Sequence, residues 1–452
     1  MTIEFTEVMI PVGELELGMH VIRLDRPWSE TDFLIQGFII NDPDIIDALV
    51  QQCDFVYIEG KSIAESEHTK GSIPEPRAEK KGFFSRLSSG ASSAQKKESR
   101  PLIKKPQSGR DGPPKGNKKI SYINKISTEQ ALPSAKLAYS SAKRTVESIM
   151  DGIRIGRMID MNEARETVNN IVDDILKNKD ALAWLTKIKN KDAYTAEHSL
   201  NVSILSATFA RHLGHDEVDI KRIALGGLLH DVGKAKVPTE ILNKEGRYNE
   251  EEFAIMKQHP LFGRNLLMSM AKKDHSTIDV AHCHHERVDG QGYPRKLDAS
   301  QIPYFAKIVA ITDTYDAITS SRCYDNGRAS MEALDIIYKC KGSQFDAELA
   351  VEFIKCIGVY PPGSIIELKT GEVGIVIETH ENNKLKPRVL LVRDRNKVEK
   401  PQKIIDLNLN LKDKSGNTIQ IAHELINGAH GVWLEDYIKR GLLLHKTAKA
   451  DS

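Results

Sequence analysis

The chain has 452 residues, of which 40% are hydrophobic, and its 64 basic and 63 acidic side chains leave a net charge of +1. That length exceeds one ordinary core, so two or three domains are expected. Balanced charge excludes a chain built as a whole for nucleic acid or an acidic membrane surface, and no run of about eighteen apolar residues exists to span a bilayer. The start, Met1-Thr2-Ile3-Glu4, lacks the basic and apolar regions of a secretion signal. Cys53, Cys283, Cys323, Cys340 and Cys356 are scattered without a Cys-x-x-Cys pair and read as reduced thiols of a cytoplasmic protein.

Residues 1–62 read as a small α+β module. Short apolar runs (Val8 to Val12, Phe38 to Ile40) alternate with Gly, Asp and Pro, and Asp42-Pro43 opens a helix bearing Ile45, Ile46, Leu49 and Val50. Phe55 to Ile58 reads as a strand. Residues 63–120 lose periodicity and fill with Ser, Gly, Pro and Lys. Thirteen basic against four acidic residues between Glu75 and Lys119 make a flexible basic linker the expectation. No interleaved aromatics support a nucleic-acid or membrane contact there beyond Phe83-Phe84.

Helical periodicity rules residues 121–190, through Ala138, Ala142, Val146, Ile149 and Ile153, then Val168, Ile171, Ile175 and Leu176 after a break near Gly156. This connector either docks on the region that follows or forms a dimerisation stem. Beyond Tyr360, Ile365 to Leu368, Gly374 to Ile377 and Val389 to Val392 read as short strands. A small β appendix is therefore expected over 361–452, closed by a helical tail around Ile421 to Leu444.

The chemistry concentrates between these ends. Nine of the fifteen histidines fall between positions 198 and 285. His284-His285-Glu286 runs into Asp289-Gly290-Gln291-Gly292-Tyr293-Pro294, with His198, His230-Asp231 and His259 before it and Asp313 after. Such a gathering of nitrogen and carboxylate donors is what a polynuclear metal site requires. Helical phase adds a physical reason. Asp313 shares a face with Ala306, Val309, Ala310 and Ala317, and His198 shares one with Val202, Leu205 and Phe209. A carboxylate on such an apolar stripe is costly unless a cation compensates it. His230-Asp231 ends the apolar run Ile223 to Leu229, with Gly233 expected to stop the helix. Adjacent donors at a helix end diverge, so Asp231 can bridge two ions while His230 binds one. Cys283 reads as a small buried residue, and His212, His215, His275 and His282 as surface or structural histidines.

The ordered motifs His198-Ser199, His230-Asp231-Val232-Gly233-Lys234, His259-Pro260, His284-His285-Glu286, Asp289 to Pro294 and Asp313-Thr314-Tyr315-Asp316-Ala317 resemble those of the HD-GYP family. That family is a branch of the HD metal-dependent phosphohydrolases that cleaves cyclic di-GMP. The resemblance runs from about Asp192 to about Tyr360. Upstream, Leu24 to Trp28 and Gln36 to Phe38 resemble the uncharacterised domain often found ahead of it. The resemblance implies a mainly α-helical HD-type catalytic domain over 191–360. It also implies one metal on His198, His230, Asp231 and Asp313 and a second on Asp231, His259, His284 and His285. Such a donor mixture suits iron or manganese and does not exclude zinc, cobalt or nickel.

Two bridged metals would activate a water for in-line attack on a phosphodiester. Lys234 is close enough in sequence to Asp231 to reach the phosphate. Arg287, Arg295, Tyr293 and Arg322 are further substrate-binding candidates, and Asp289 is a candidate to orient a ligand histidine. Two departures from the family pattern stand out. Tyr194 replaces a glutamate that in some members helps hold a third metal, and Asp325 replaces a basic residue. The leading expectation is hydrolysis of cyclic di-GMP to pGpG and onward to GMP. The alternatives are a sensor that binds the nucleotide without turnover, or a hydrolase of another cyclic dinucleotide such as cyclic GMP-AMP. Partners expected are that substrate and a second copy or a signalling protein, with no nucleic acid.

Overall fold

The computed structural model describes residues 5–25, 38–40, 43–61, 112–114, 119–187, 194–244, 246–270, 274–320, 329–380, 383–413 and 415–439. The chain divides into two units, the first ending near residue 109 and the second running from residue 110 onward.

In the N-terminal unit, β1 (Phe5–Pro11), β2 (His20–Leu24), β3 (Phe38–Ile39), α1 (Pro43–Gln52) and β4 (Phe55–Lys61) follow in order. The strands form one antiparallel sheet in the order β1-β4-β2-β3. Val21, Ile40, Leu49 and Val56 are fully buried. The expected basic linker lies almost wholly outside the described residues.

The second unit opens on an extended strap, residues 119–126, tied to the helices by backbone and side-chain bonds. Ile120 N–H donates to Gly214 O (3.0 Å), Lys125 N–H to Lys177 O (2.7 Å) and the Asn178 amide to Ile126 O (2.9 Å). Helix α2 (Thr128–Arg154) starts on a capping box between Ser127 and Gln130. It turns back at Gly156, whose φ of +83° is a backbone shape that glycine takes freely. Then come α3 (Met161–Lys177) and α4 (Lys179–Leu185), with buried Asn178 ending one and capping the other through Asp180 N–H and Ala181 N–H.

The central layer is α5 (Tyr194–Leu213), α6 (Glu217–Leu229), a 3-10 turn (Val232–Lys236), α7 (Thr239–Leu242), α8 (Glu250–Met256), α9 (His259–Met268), α10 (His275–Cys283), α11 (Tyr304–Thr319), α12 (Ser330–Lys339) and α13 (Ala347–Ile357). One continuous core joins these helices to α2, α3 and α4. No helix among the described residues is long and apolar enough to cross a membrane.

A five-stranded antiparallel sheet follows, in the order β8-β7-β6-β5-β9. It comprises β5 (Ile365–Leu368), β6 (Val373–Glu378), β7 (Arg388–Arg393), β8 (Glu399–Asp406) and β9 (Ile421–Leu425). Strict alternation gives it two apolar faces. Ile365, Ile375, Ile377 and Leu390 pack on Trp184 of α4, while Ile366, Val376, Val389 and Leu391 fill the other side. The Trp184 indole N–H donates to Val376 O at 2.9 Å, fastening the sheet to the helices.

The expected helical tail needs correction. Ile421–Leu425 is a strand paired with β5, and among the described residues the α-helix near the end is α14 (Leu434–Lys439). The exposed edge of β5 offers that segment a ladder of backbone partners that its own sequence cannot reveal.

Candidate metal centre

Three helix ends and two helix interiors converge on Asp231. His198 comes from the second turn of α5 and Asp313 from the middle of α11. His230 and Asp231 terminate α6, His259 opens α9, and His284-His285 follow α10. All are buried except His285, which is partly so.

Two close backbone approaches explain how they meet. A Cβ on Gly233 would lie 2.0 Å from His259 O and 2.5 Å from Gly263 N. Only glycine lets the 3-10 turn lie against α9 and bring His259 to Asp231. Gly233 is therefore not the helix stop expected of it. Helix α6 ends at Leu229, and the chain runs on through the 3-10 turn that contains Gly233. The second approach is at Gly292, where a Cβ would lie 2.4 Å from Arg287 N and 2.5 Å from Glu286 Cα. Buried Glu286 clamps this loop by accepting from Arg295 N–H (2.6 Å) and Leu297 N–H (2.9 Å).

The two oxygens of Asp231 face different groups. Oδ2 lies 3.7 Å from His198 Nε2 and 3.3 Å from His230 Nε2, while Oδ1 lies 3.2 Å from His259 Nε2 and 3.7 Å from His284 Nε2. Asp313 Oδ1 stands 3.0 Å from His198 Nε2 and 3.8 Å from His230 Nε2. His259, His284 and His285 form a second compact donor group beside the first.

The imidazoles are oriented from behind. Nδ1 of His230 donates to Gly227 O (2.7 Å), that of His259 to Met256 O (2.8 Å), and that of His284 to Ala281 O (3.1 Å). A carbonyl only accepts, so each Nδ1 carries a proton and, in the neutral ring, each Nε2 turns a lone pair inward. His259 Nε2 and His284 Nε2 then face each other at 3.3 Å. His230 Nε2 and Asp231 Oδ1 are buried with no hydrogen-bond partner. Opposed lone pairs and orphaned buried acceptors are unfavourable unless a cation lies between them. The donor set thus fits a pair of divalent metals.

Electrostatics agree. Burial would lower the His198 pKa, but its bonds to Asp313 and Asp316 outweigh this and raise it to about 9. A proton held that firmly stands where a cation belongs. Burial resists ionisation of Asp231, yet the charges of His230 and Lys234 keep its carboxyl well below the usual range. Burial and neighbouring imidazoles push His284 well down, and burial above all takes His285 to about 3.

Of the substrate-binding candidates, Lys234 rests its ammonium on Asp231 Oδ2 with its side chain 22% exposed. Tyr293 stacks on His285 with ring centroids 4.7 Å apart, and burial keeps its phenol protonated. Arg287 is gripped by both oxygens of Asp289. Asp289 also accepts from Gln291 N–H, so it braces this loop and is not placed against a histidine. Arg322, like Asp325, lies outside the described residues, as does the side chain of Tyr194. Cys283 is a buried thiol pushed up to about 12 by desolvation. His212 pairs with Glu352 outside the cluster.

Sequence reasoning gave no role to Asp316. Its Oδ2 accepts from His198 Nδ1 at 2.8 Å and from Ser320 Oγ at 3.1 Å, so it sets the ring for Nε2 to point at Asp313. Its signal was present as a second carboxylate one turn after Asp313 on an apolar helix. Asp316→Asn is expected to weaken metal binding on the order of 10–100-fold, measured by competition with a chelating dye, with helix content unchanged.

Comparison with known proteins gives matches along most of the chain. Residues 171–349 match the HD domain, residues 7–164 a domain of unknown function, DUF3391, and residues 365–422 a KOW domain associated with the HD domain. The chain is 37% identical over 284 residues to cyclic di-GMP phosphodiesterase PA4108 of Pseudomonas aeruginosa, covering 63% of this chain and 68% of that one. It is 38% identical to a cyclic di-GMP phosphodiesterase of Thermotoga maritima, over 36% of this chain and 45% of the relative. It is 34% identical to 3'3'-cGAMP-specific phosphodiesterase 1 of Vibrio cholerae, over 35% of this chain and 36% of the relative. With these motifs on one buried cluster, the chain belongs to the HD-GYP family of HD-domain phosphodiesterases and carries the DUF3391 domain ahead of its catalytic helices.

Proposed function

We propose that the protein hydrolyses cyclic di-GMP to pGpG, and onward to GMP, at a centre where Asp231 and the histidines on either side of it would hold two metals. The observation that carries this reading is the division of the Asp231 oxygens between two histidine groups, with the inward lone pairs left unpartnered. His198, His230, Asp231 and Asp313 would hold one ion, and Asp231, His259, His284 and His285 the other. Iron or manganese suits these donors best. Bound there, the pair supplies a water of lowered pKa and neutralises the phosphodiester.

The remaining work falls to the chain's own side chains. Buried walls keep bulk water from the cluster, and the Nδ1 bonds hold each imidazole in one orientation. Lys234, partly exposed beside Asp231, offers an ammonium to a phosphate oxygen. Tyr293 keeps its proton, and its ring, stacked on His285, shapes the entrance. Lys234→Met is expected to lower kcat/KM on the order of 10–100-fold, the loss of one charge-assisted hydrogen bond, with metal content unchanged.

The test of the substrate is turnover of a panel of cyclic dinucleotides by the full chain loaded with manganese or ferrous iron. Preference for cyclic di-GMP with pGpG as first product supports the reading. Preference for cyclic GMP-AMP would move the protein to the second reading, which the cGAMP-specific relative favours. Tight binding of a metal-loaded protein without product would make it a sensor.

The N-terminal module regulates or recruits, in this reading. Helix α2 behaves as part of the catalytic unit, since Lys143 pairs with buried Glu197 at 2.5 Å and Tyr139 OH donates to Asn201 at 3.1 Å. A truncation beginning at Lys119 is therefore expected to keep both metals and turnover within about threefold of the full chain. Loss of activity in a folded, metal-loaded truncation would show that the module completes the site.

A further inference from the structure

The helices that bring His198 and Asp313 to the metals also wall a second cavity. Leu205 and Thr208 of α5 and Tyr315 of α11 line a small cleft, bounded by α4 and the two residues after it, the end of α13, Pro361-Pro362 before the sheet and Thr379. None of the metal-centre histidines or aspartates reaches it.

Its polar groups are unevenly satisfied. Lys179 is neutralised by Asp180 Oδ1 at 2.9 Å and also meets Thr379 Oγ1 at 3.1 Å. Lys187 has no such anion. Its ammonium donates to Ser330 Oγ (2.6 Å) and Tyr315 OH (3.4 Å) and lies 5.6 Å from the Tyr315 ring centroid, all neutral partners among the described residues. Thr208 is 6% exposed, and its Oγ1 has no hydrogen-bond partner. A half-buried cation without a counter-ion and a buried hydroxyl without a partner are both unfavourable, and here both line one cleft. Leu205, Ile357, Pro361 and Pro362 make much of the remaining wall apolar.

We propose that this cleft binds a small oxyanion, a carboxylate or phosphate on a compact body, with Lys187 as counter-ion and Thr208 as a hydrogen-bonding partner. The site is separate from the metal centre, so its test is separable from cyclic dinucleotide hydrolysis. The thermal midpoint of the metal-loaded full chain is measured with increasing butyrate or inorganic phosphate, against chloride at equal ionic strength. Either anion can also touch the metals, so the readout is the difference between the wild-type chain and its variants.

At least one probe is expected to give a saturable upward shift. Lys187→Met should weaken its half-saturation on the order of tenfold or more, as for loss of a charged hydrogen-bond partner. Thr208→Val should weaken it by about two- to fivefold, as for loss of a neutral one. Response to butyrate alone assigns a carboxylate, and to phosphate alone a phosphate. If Lys187→Met does not fold, Thr208→Val decides. The proposal is overturned if neither anion differs from chloride, or if every folded variant keeps the full shift.

Discussion

Asp231→Asn should lower turnover at least about a thousandfold, because in the proposed mechanism the residue would hold both metals and the nucleophile would depend on both. The exchange is nearly isosteric. It removes the charge that His198, His230, His259 and His284 surround at 3.2 to 3.7 Å. The amide nitrogen would also have no lone pair to offer a metal where a carboxylate oxygen has one. Helix α6 keeps its apolar stripe of Ile220, Ile223, Ala224 and Leu228, so circular dichroism should be unchanged. Metal analysis should show fewer than two ions per chain. A folded Asp231→Asn protein with wild-type turnover would refute the bridging role.

Gly233→Ala is expected to be nearly as severe although it adds only one methyl group. The new Cβ would meet backbone atoms of His259 and Gly263 at 2.0 and 2.5 Å, and backbone cannot step aside as a side chain can. The 3-10 turn must separate from α9, which pulls Asp231 away from His259. Overpacking of this kind costs about 1–3 kcal/mol. A displacement of about 1 Å at a catalytic group costs on the order of 100-fold in rate. Thermal unfolding and single-turnover kinetics should both register the change. Unaltered stability with unaltered turnover would mean that the turn relaxes without moving Asp231.

These two residues show what the sequence could and could not disclose. His198 and Asp313 were legible because helical phase puts polar groups where apolar ones belong, and Asp231 because it follows His230 at the end of an apolar run, both local signals. Gly233 misled because a glycine after a helix usually stops it. Its actual task, the approach to α9, is a tertiary contact with no local trace. Asp316 sat in a recognised motif, but its partner is a histidine 118 positions away. The sheet was harder still. Strands β5, β6 and β7 are apolar and were foreseen. β8 escaped notice because it is an edge strand rich in Lys and Glu, as edges that avoid unwanted pairing tend to be. β9 looked helical because the partner that makes it a strand lies more than fifty residues upstream.

Hydrolysis as proposed needs two metals shared by one carboxylate. The most direct measurement strips the full chain with a chelator, then adds manganese in small equivalents while initial rates on cyclic di-GMP and bound metal are followed together. Turnover should stay low through the first equivalent, rise through the second and then level off, with pGpG appearing as metal binds. Full activity at one equivalent per chain, or in the stripped protein, would contradict the two-metal account.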